Sequence, residues 1–202
     1  MKRYLLSKRL LKSTLIKIIS ILFLFSLTSC LNKHPEYHKD WPQIKKNADI
    51  EKEIIGEYSC YGHNVHSKMG LWEPSTLPSY LMDCKSPPRC YSLRINKLRE
   101  NALELLFVED DGNIILRKLI KKDKDYTVNK NWIVLNGNIS SAAEDVVVAW
   151  SHSKPNLTID EVGNLIVKSS VTTFGTIMVV IPVGSTGTDW GRFNRLDANE
   201  IK

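Results

Sequence analysis

The chain has 202 residues, 43% of them hydrophobic, and carries a formal net charge of +6 from 28 Lys and Arg against 22 Asp and Glu. The whole surplus lies in Lys2, Arg3, Lys8, Arg9, Lys12 and Lys17, and the rest of the chain balances 22 basic against 22 acidic residues. A balanced domain lacks the cation excess that sequence-independent phosphate binding requires, so no nucleic-acid partner is expected. The local group Lys118, Lys121, Lys122 and Lys124 is interleaved with Asp123 and Asp125, as in a solvated turn.

After the cationic stretch, Ile18 to Leu27 forms an apolar run broken only by Ser20 and Ser26. It is about ten residues long, where a membrane-spanning helix takes roughly twenty. A positive flank, a short apolar core and small residues at its end mark a secretory signal. The run closes on Leu27-Thr28-Ser29-Cys30, which resembles the lipobox of bacterial lipoproteins. In that family the Cys thiol receives a diacylglycerol, the preceding segment is removed and the new amine is acylated with a fatty acid such as palmitate. The resemblance implies a signal peptide over 1–29, lipidation at Cys30 and a membrane anchor of two or three acyl chains, since one chain alone holds only marginally. In enterobacterial members an Asp after the Cys tends to retain the protein at the inner membrane. Leu31 and Asn32 stand there in this chain, so the resemblance implies the outer membrane and a domain facing the periplasm.

Residues 30–53 read as the lipidated Cys and a flexible tether, polar and interrupted by Pro35 and Pro42. At most a short helix is expected between Asn47 and Ile55, where Asp49 and Glu51 suit a first turn. A single β domain is expected over 54–202, long enough for one core.

Within it, Tyr91, Leu93 and Ile95 alternate with Ser92 and Arg94, the period of a half-buried strand. Ala102 to Glu109 and Ile114 to Ile120 flank Asp110-Asp111-Gly112-Asn113, a hairpin signal strong enough to override the helix formers in Leu98 to Leu106. Asn131 separates Tyr126 to Asn129 from Trp132 to Ile139, with Asn136-Gly137 as a further turn or bulge, and Val146 to Ser151 is a β-branched run. Lys154-Pro155-Asn156 is expected to break the chain, and Gly163-Asn164 to lead into a strand from Leu165 to Phe174. Gly175 is expected to separate that strand from Thr176 to Val183, and Gly184, Gly187 and Gly191 to loosen the end. The fold class is therefore all-β: an antiparallel meander of about eight to ten strands, a closed or partly open barrel, with a sandwich as the alternative. Ile54-Ile55-Gly56-Glu57-Tyr58 resembles the Gly-x-Tyr/Trp opening of lipocalins, which implies a lipocalin-like barrel. Trp132, Trp150, Trp190, Tyr58, Tyr126, Phe107 and Phe174 fall in predicted strands and are expected in the core.

With Cys30 lipidated, Cys60, Cys84 and Cys90 remain for an oxidising compartment, where one disulfide is the default and one thiol is left over. A Cys84–Cys90 ring and a Cys60 staple to either partner both fit the spacing. Cys60, His63 and His66 are the weak metal candidates, but their spacing matches no familiar zinc module and oxidation removes the thiolate, so neither metal nor cofactor is expected. Ser151 and His152 alternate across a strand, and Gly184-Ser185-Thr186-Gly187 lacks a phosphate loop's lysine, so the expectation is a non-enzymatic protein. The Pro-rich stretch from Gly62 to Arg89 carries Leu71, Trp72, Leu77, Tyr80, Leu81 and Met82, the expected partner-binding loop. The function expected is a lipid-anchored envelope protein that binds a periplasmic or envelope protein, as an accessory or inhibitor factor, with a carrier of a small apolar ligand as the alternative.

Overall fold

A computed structural model describes residues 36–65, 77–81, 89–144, 147–177 and 181–196. They form α1 (Ile50–Glu53), β1 (Gly56–Ser59), β2 (His63–Val65), α2 (Leu77–Leu81), β3 (Ser92–Arg99), β4 (Ala102–Val108), β5 (Ile114–Lys121), β6 (Tyr126–Asn129), β7 (Trp132–Leu135), β8 (Asn138–Glu144), β9 (Val147–Ile159), β10 (Leu165–Ile177) and β11 (Ile181–Phe193). The fold is all-β, with eleven strands among the described residues and every sheet pairing antiparallel.

The hairpin signal holds. Gly112 takes φ +83°, closed to most side chains, and the Gly112 and Glu109 amides donate to Glu109 and Asn113 carbonyls, which commits the Leu-rich segment before it to a strand. β1, β3, β4 and β5 make one sheet; β2, β11, β10, β9, β7 and β6 make the other, with β8 beside β9. Among the described residues the sheets meet along both borders through single bridges and not through a continuous ladder. On one side Tyr58 bridges Arg195, with the Ser59 amide donating to Asn194 and the Leu196 amide to Glu57. On the other Lys122 bridges Tyr126. The result is a partly open meander, and α1 is fastened to its looser border: Glu51 accepts from Lys122 Nζ at 2.9 Å and from the Tyr126 hydroxyl at 2.8 Å.

The interior is continuous and apolar. Tyr58, Leu93, Ile95 and Phe107 of the first sheet meet Ile133, Leu157, Leu165 and Phe193 of the second, all at 0 or 1% exposure. The Tyr58 hydroxyl donates to the Ile54 carbonyl, and the Arg195 guanidinium lies 5.9 Å over its ring while donating to the Ile55 carbonyl.

Several expectations are corrected. The tether is shorter than 30–53: Ile44 bridges Asp160, Lys45 donates to Ile159, Ile50 is buried, and the Tyr37 ring stacks edgewise on Trp190 at 5.3 Å. Pro155 does not end its strand; β9 runs through it because the neighbouring strand on that side is interrupted at Asn136-Gly137, between the register pairs Val134↔Asn156 and Asn138↔Ser153. An interruption of this kind tolerates a residue with no amide proton. Gly175 lies inside β10, and Gly184, Gly187 and Gly191 lie inside β11. Gly191 is there for closeness: a Cβ would come 2.7 Å from the Phe193 ring and 3.2 Å from Tyr80.

At the β9–β10 turn the fully buried Asp160 accepts from the Val162 and Asn164 amides, Asn164 Nδ2 and Arg192 Nε at 2.8 to 3.1 Å. Asp160→Ala leaves the Arg192 guanidinium, 19% exposed, without its anion and unties the turn, so a loss of about 3–5 kcal/mol is expected in urea unfolding. Burial pushes the Tyr58 phenol up to about 12, against the lowering influence of the Arg195 cation and with a smaller push from the Asp160 carboxylate. Between the unfolded value of 10.0 and about 12 the unfolded chain releases this proton while the folded chain keeps it, so stability falls as pH rises through that window. Tyr58→Phe removes roughly 2–3 kcal/mol of that alkaline fall, read as a flatter dependence of the urea midpoint on pH.

Candidate functional site

Cys60 follows β1 and Cys90 precedes β3, and because Ser59 pairs with Ser92 the two cysteines meet in a disulfide with Cα atoms 5.7 Å apart. The pairing is Cys60–Cys90; Cys84 lies outside the described residues. The Cys60 amide donates to the Tyr91 carbonyl at 2.8 Å, and Leu77 donates to the Cys60 carbonyl at 2.9 Å. A cross-link and two backbone bonds thus fix the root of the 62–90 stretch. Outside this clamp stand Tyr61 and Tyr91, 51% and 42% exposed. The Ser59 hydroxyl donates to the Tyr61 carbonyl and accepts from the Tyr61 amide. Ile114 and Leu116, at the start of β5, the edge strand on the far side of β4, are exposed as well.

The expected partner loop divides. Leu71, Trp72 and Met82 lie outside the described residues. Leu77 and Leu81 are 0 and 2% exposed in the core, and Tyr80 packs edgewise on Phe193 at 6.0 Å, so these three hold α2 against the domain and are not docking side chains. Their spacing, Leu77-x-x-Tyr80-Leu81, is that of one helical face, a signal present in the sequence but masked there by the surrounding prolines. Cys60 is spent in the disulfide and is no metal ligand; His63 pairs in β2 with Arg192, and His66 and Cys30 lie outside the described residues. Among the described residues no group of three metal-ligating side chains gathers. Ser151 and His152 point to opposite faces, as the alternation requires: Ser151 Oγ shares a hydrogen bond with Thr173 Oγ1, while the His152 ring lies beside Gly137.

A second surface was missed by the expectation that strand aromatics are core. β8 to β11 continue beyond the interior as a ribbon. The register sets Trp150 directly opposite Phe174, and Phe174 opposite Gly184. Trp150 is 49% and Phe174 62% exposed, and the Phe174 ring lies over Gly184. Parity carries the signal: Leu157, Ile159, Leu165 and Val167 face the core, so the even-numbered residues of these strands face away from it. The same outer face is covered nearer the core by Tyr37, Trp132 and Trp190, with Lys168 Nζ 4.9 Å over the Trp190 ring. On the inner parity of the ribbon, burial pushes the Asp189 carboxyl up.

No family of known proteins, no curated protein and no solved structure matches this chain.

The disulfide closes a loop of 30 residues in sequence separation, worth about 3.6 kcal/mol by chain entropy. Cys60→Ser combined with Cys90→Ser should lower unfolding stability by about 3–4 kcal/mol, and dithiothreitol treatment of the unsubstituted protein should reproduce the loss.

Proposed function

We propose that this chain is a lipid-anchored envelope protein whose β domain binds a protein partner and does no covalent chemistry. The observation that carries the reading is the pair Tyr61 and Tyr91, each adjacent to one half of the Cys60–Cys90 bond and each near half exposed. Tyrosine gives contact area and a hydrogen-bonding tip at low entropic cost, and a cross-linked base lowers that cost further. Such pre-organised aromatics are typical anchors of protein interfaces. The disulfide itself fits an oxidising compartment, in accord with the signal and lipidation motif ending at Cys30. On this reading the protein sits at the outer membrane, facing the periplasm, and the anchor raises the effective concentration of the tyrosine surface in a thin layer beside the membrane.

The alternative, a carrier of a small apolar ligand, meets a packed interior. Tyr58, Leu93, Phe107 and Phe193 fill the space between the sheets where such a ligand would lie.

The test places a photo-reactive phenylalanine at Tyr61 or Tyr91 in the native cell. A discrete protein adduct is expected from both positions and none from Lys130, which lies on the exposed β6–β7 turn. In parallel, Cys30→Ser should move the chain from the membrane to the soluble fraction. A silent Tyr61 and Tyr91 would sink the docking reading; an unchanged membrane fraction would sink the anchor.

A further inference from the structure

We propose that the outer face of the β8–β11 ribbon lies on a phospholipid surface, with Trp150 and Phe174 as the side chains that enter it. The proposal rests on the lipid anchor at Cys30. It adds a second membrane contact and a defined orientation.

The length of the chain between anchor and domain is the first argument. Tyr37 is already held by the domain, its ring on Trp190 and its hydroxyl donating to the Pro42 carbonyl. Trp190 pairs with Lys168 on the even-numbered outer face, so the chain joins the domain on the face that bears Trp150 and Phe174. Tyr37 stands seven positions after Cys30, a reach of at most about 25 Å. From Lys168 to Phe174 along β10 is six residues, about 20 Å. A bilayer that holds the acyl chains is therefore within reach of the aromatic pair, on the correct side of the sheet.

The second argument is chemical. Trp150 and Phe174 stand as a cross-strand pair on a face whose described neighbours are Lys154, His152, Thr172, Ser170 and Thr186, with Lys168 nearer the core. The ribbon's described outer side chains include two lysines, a histidine and no carboxylate; Asp189 has the opposite parity. Trp and Phe backed by hydroxyls and amines suit the headgroup boundary, where an aromatic ring reaches apolar chains and its neighbours meet phosphates. The pair takes no part in the core between the sheets, whose members from β9 and β10, Leu157, Ile159, Leu165 and Val167, all sit on the other parity, and both rings are exposed.

The experiment uses the full lipidated chain reconstituted in vesicles of phosphatidylethanolamine and phosphatidylglycerol, with p-benzoylphenylalanine in place of Trp150, Phe174 or Leu119. Leu119 is an exposed control on the outer side of the four-stranded sheet. After irradiation, phospholipid adducts are expected by mass spectrometry at 150 and 174 and not at 119. With the probe moved to Thr172, the double change Trp150→Ser and Phe174→Ser should cut the lipid adduct about tenfold while the chain still sediments with the vesicles, since two aromatic side chains no longer bury area in the apolar phase. Sedimentation without lipid adducts at 150 and 174, with equal adducts at 119, or with adducts to a second copy of the chain overturns the proposal and leaves the anchor standing. Failure to sediment overturns both.

Discussion

The structure turns on a carboxylate that has no water. Asp160 is fully buried, and two turn amides, a side-chain amide and the Arg192 guanidinium together satisfy its oxygens. An ionised carboxylate taken out of water is tolerated only when donors of this number surround it, so the turn, the last strand and the N-terminal segment that bridges to it are positioned together. The effect propagates. Asn164, held by Asp160, accepts from the Arg195 amide, and Arg195 in turn covers Tyr58 and bonds the Ile55 carbonyl. One buried charge thereby sets the relation between the β9–β10 turn and the start of β1.

Away from that hub the two sheets divide the work. The four-stranded sheet supplies a central strand, β4, buried along its whole length, with Glu104 on its outer side paired to Arg117 and bonded by Asn96. The second sheet supplies strands of thirteen residues, too long to be covered by the first. The excess becomes the ribbon, and the exposed aromatics follow from that mismatch of lengths. Both surfaces discussed above are outcomes of the same economy: a small core, one clamp where the chain leaves it and one sheet that outgrows it.

Elements governed by local chemistry were legible in the sequence. Gly112 in its Asp-rich turn, the alternation through Leu93 and Ile95, and the β-branched runs declare strands and hairpins without tertiary help. What failed was punctuation whose meaning depends on neighbours. Pro155 signals a break unless the adjacent strand is already interrupted, and Gly191 signals looseness unless two rings need the space. Leu77 and Leu81 looked like loop anchors because helical spacing within a Pro-rich stretch is a weak signal. Trp150 and Phe174 looked like core because residue type says nothing about which parity faces inward, and the register with Leu157 and Val167 is what decides it. Of the candidate site, the sequence leaves open which two of Cys60, Cys84 and Cys90 pair, and the backbone neighbourhood of Ser59 and Ser92 makes the choice.

The strand β11 serves both sheets: it pairs with β2 through residues 190–192, and the chain just past it bridges β1 at Tyr58. Arg195 and Ile55, which it brings into hydrogen-bonding contact, are 140 positions apart in the chain. Synthesis proceeds from the N-terminus, so β1 keeps that edge open until residues 194–196 are available. Closure of this border therefore waits on the residues that follow β11, through contacts of high sequence separation that form slowly, and a chain cut before Asn194 keeps all eleven described strands while losing the described contacts that join the two sheets along that border.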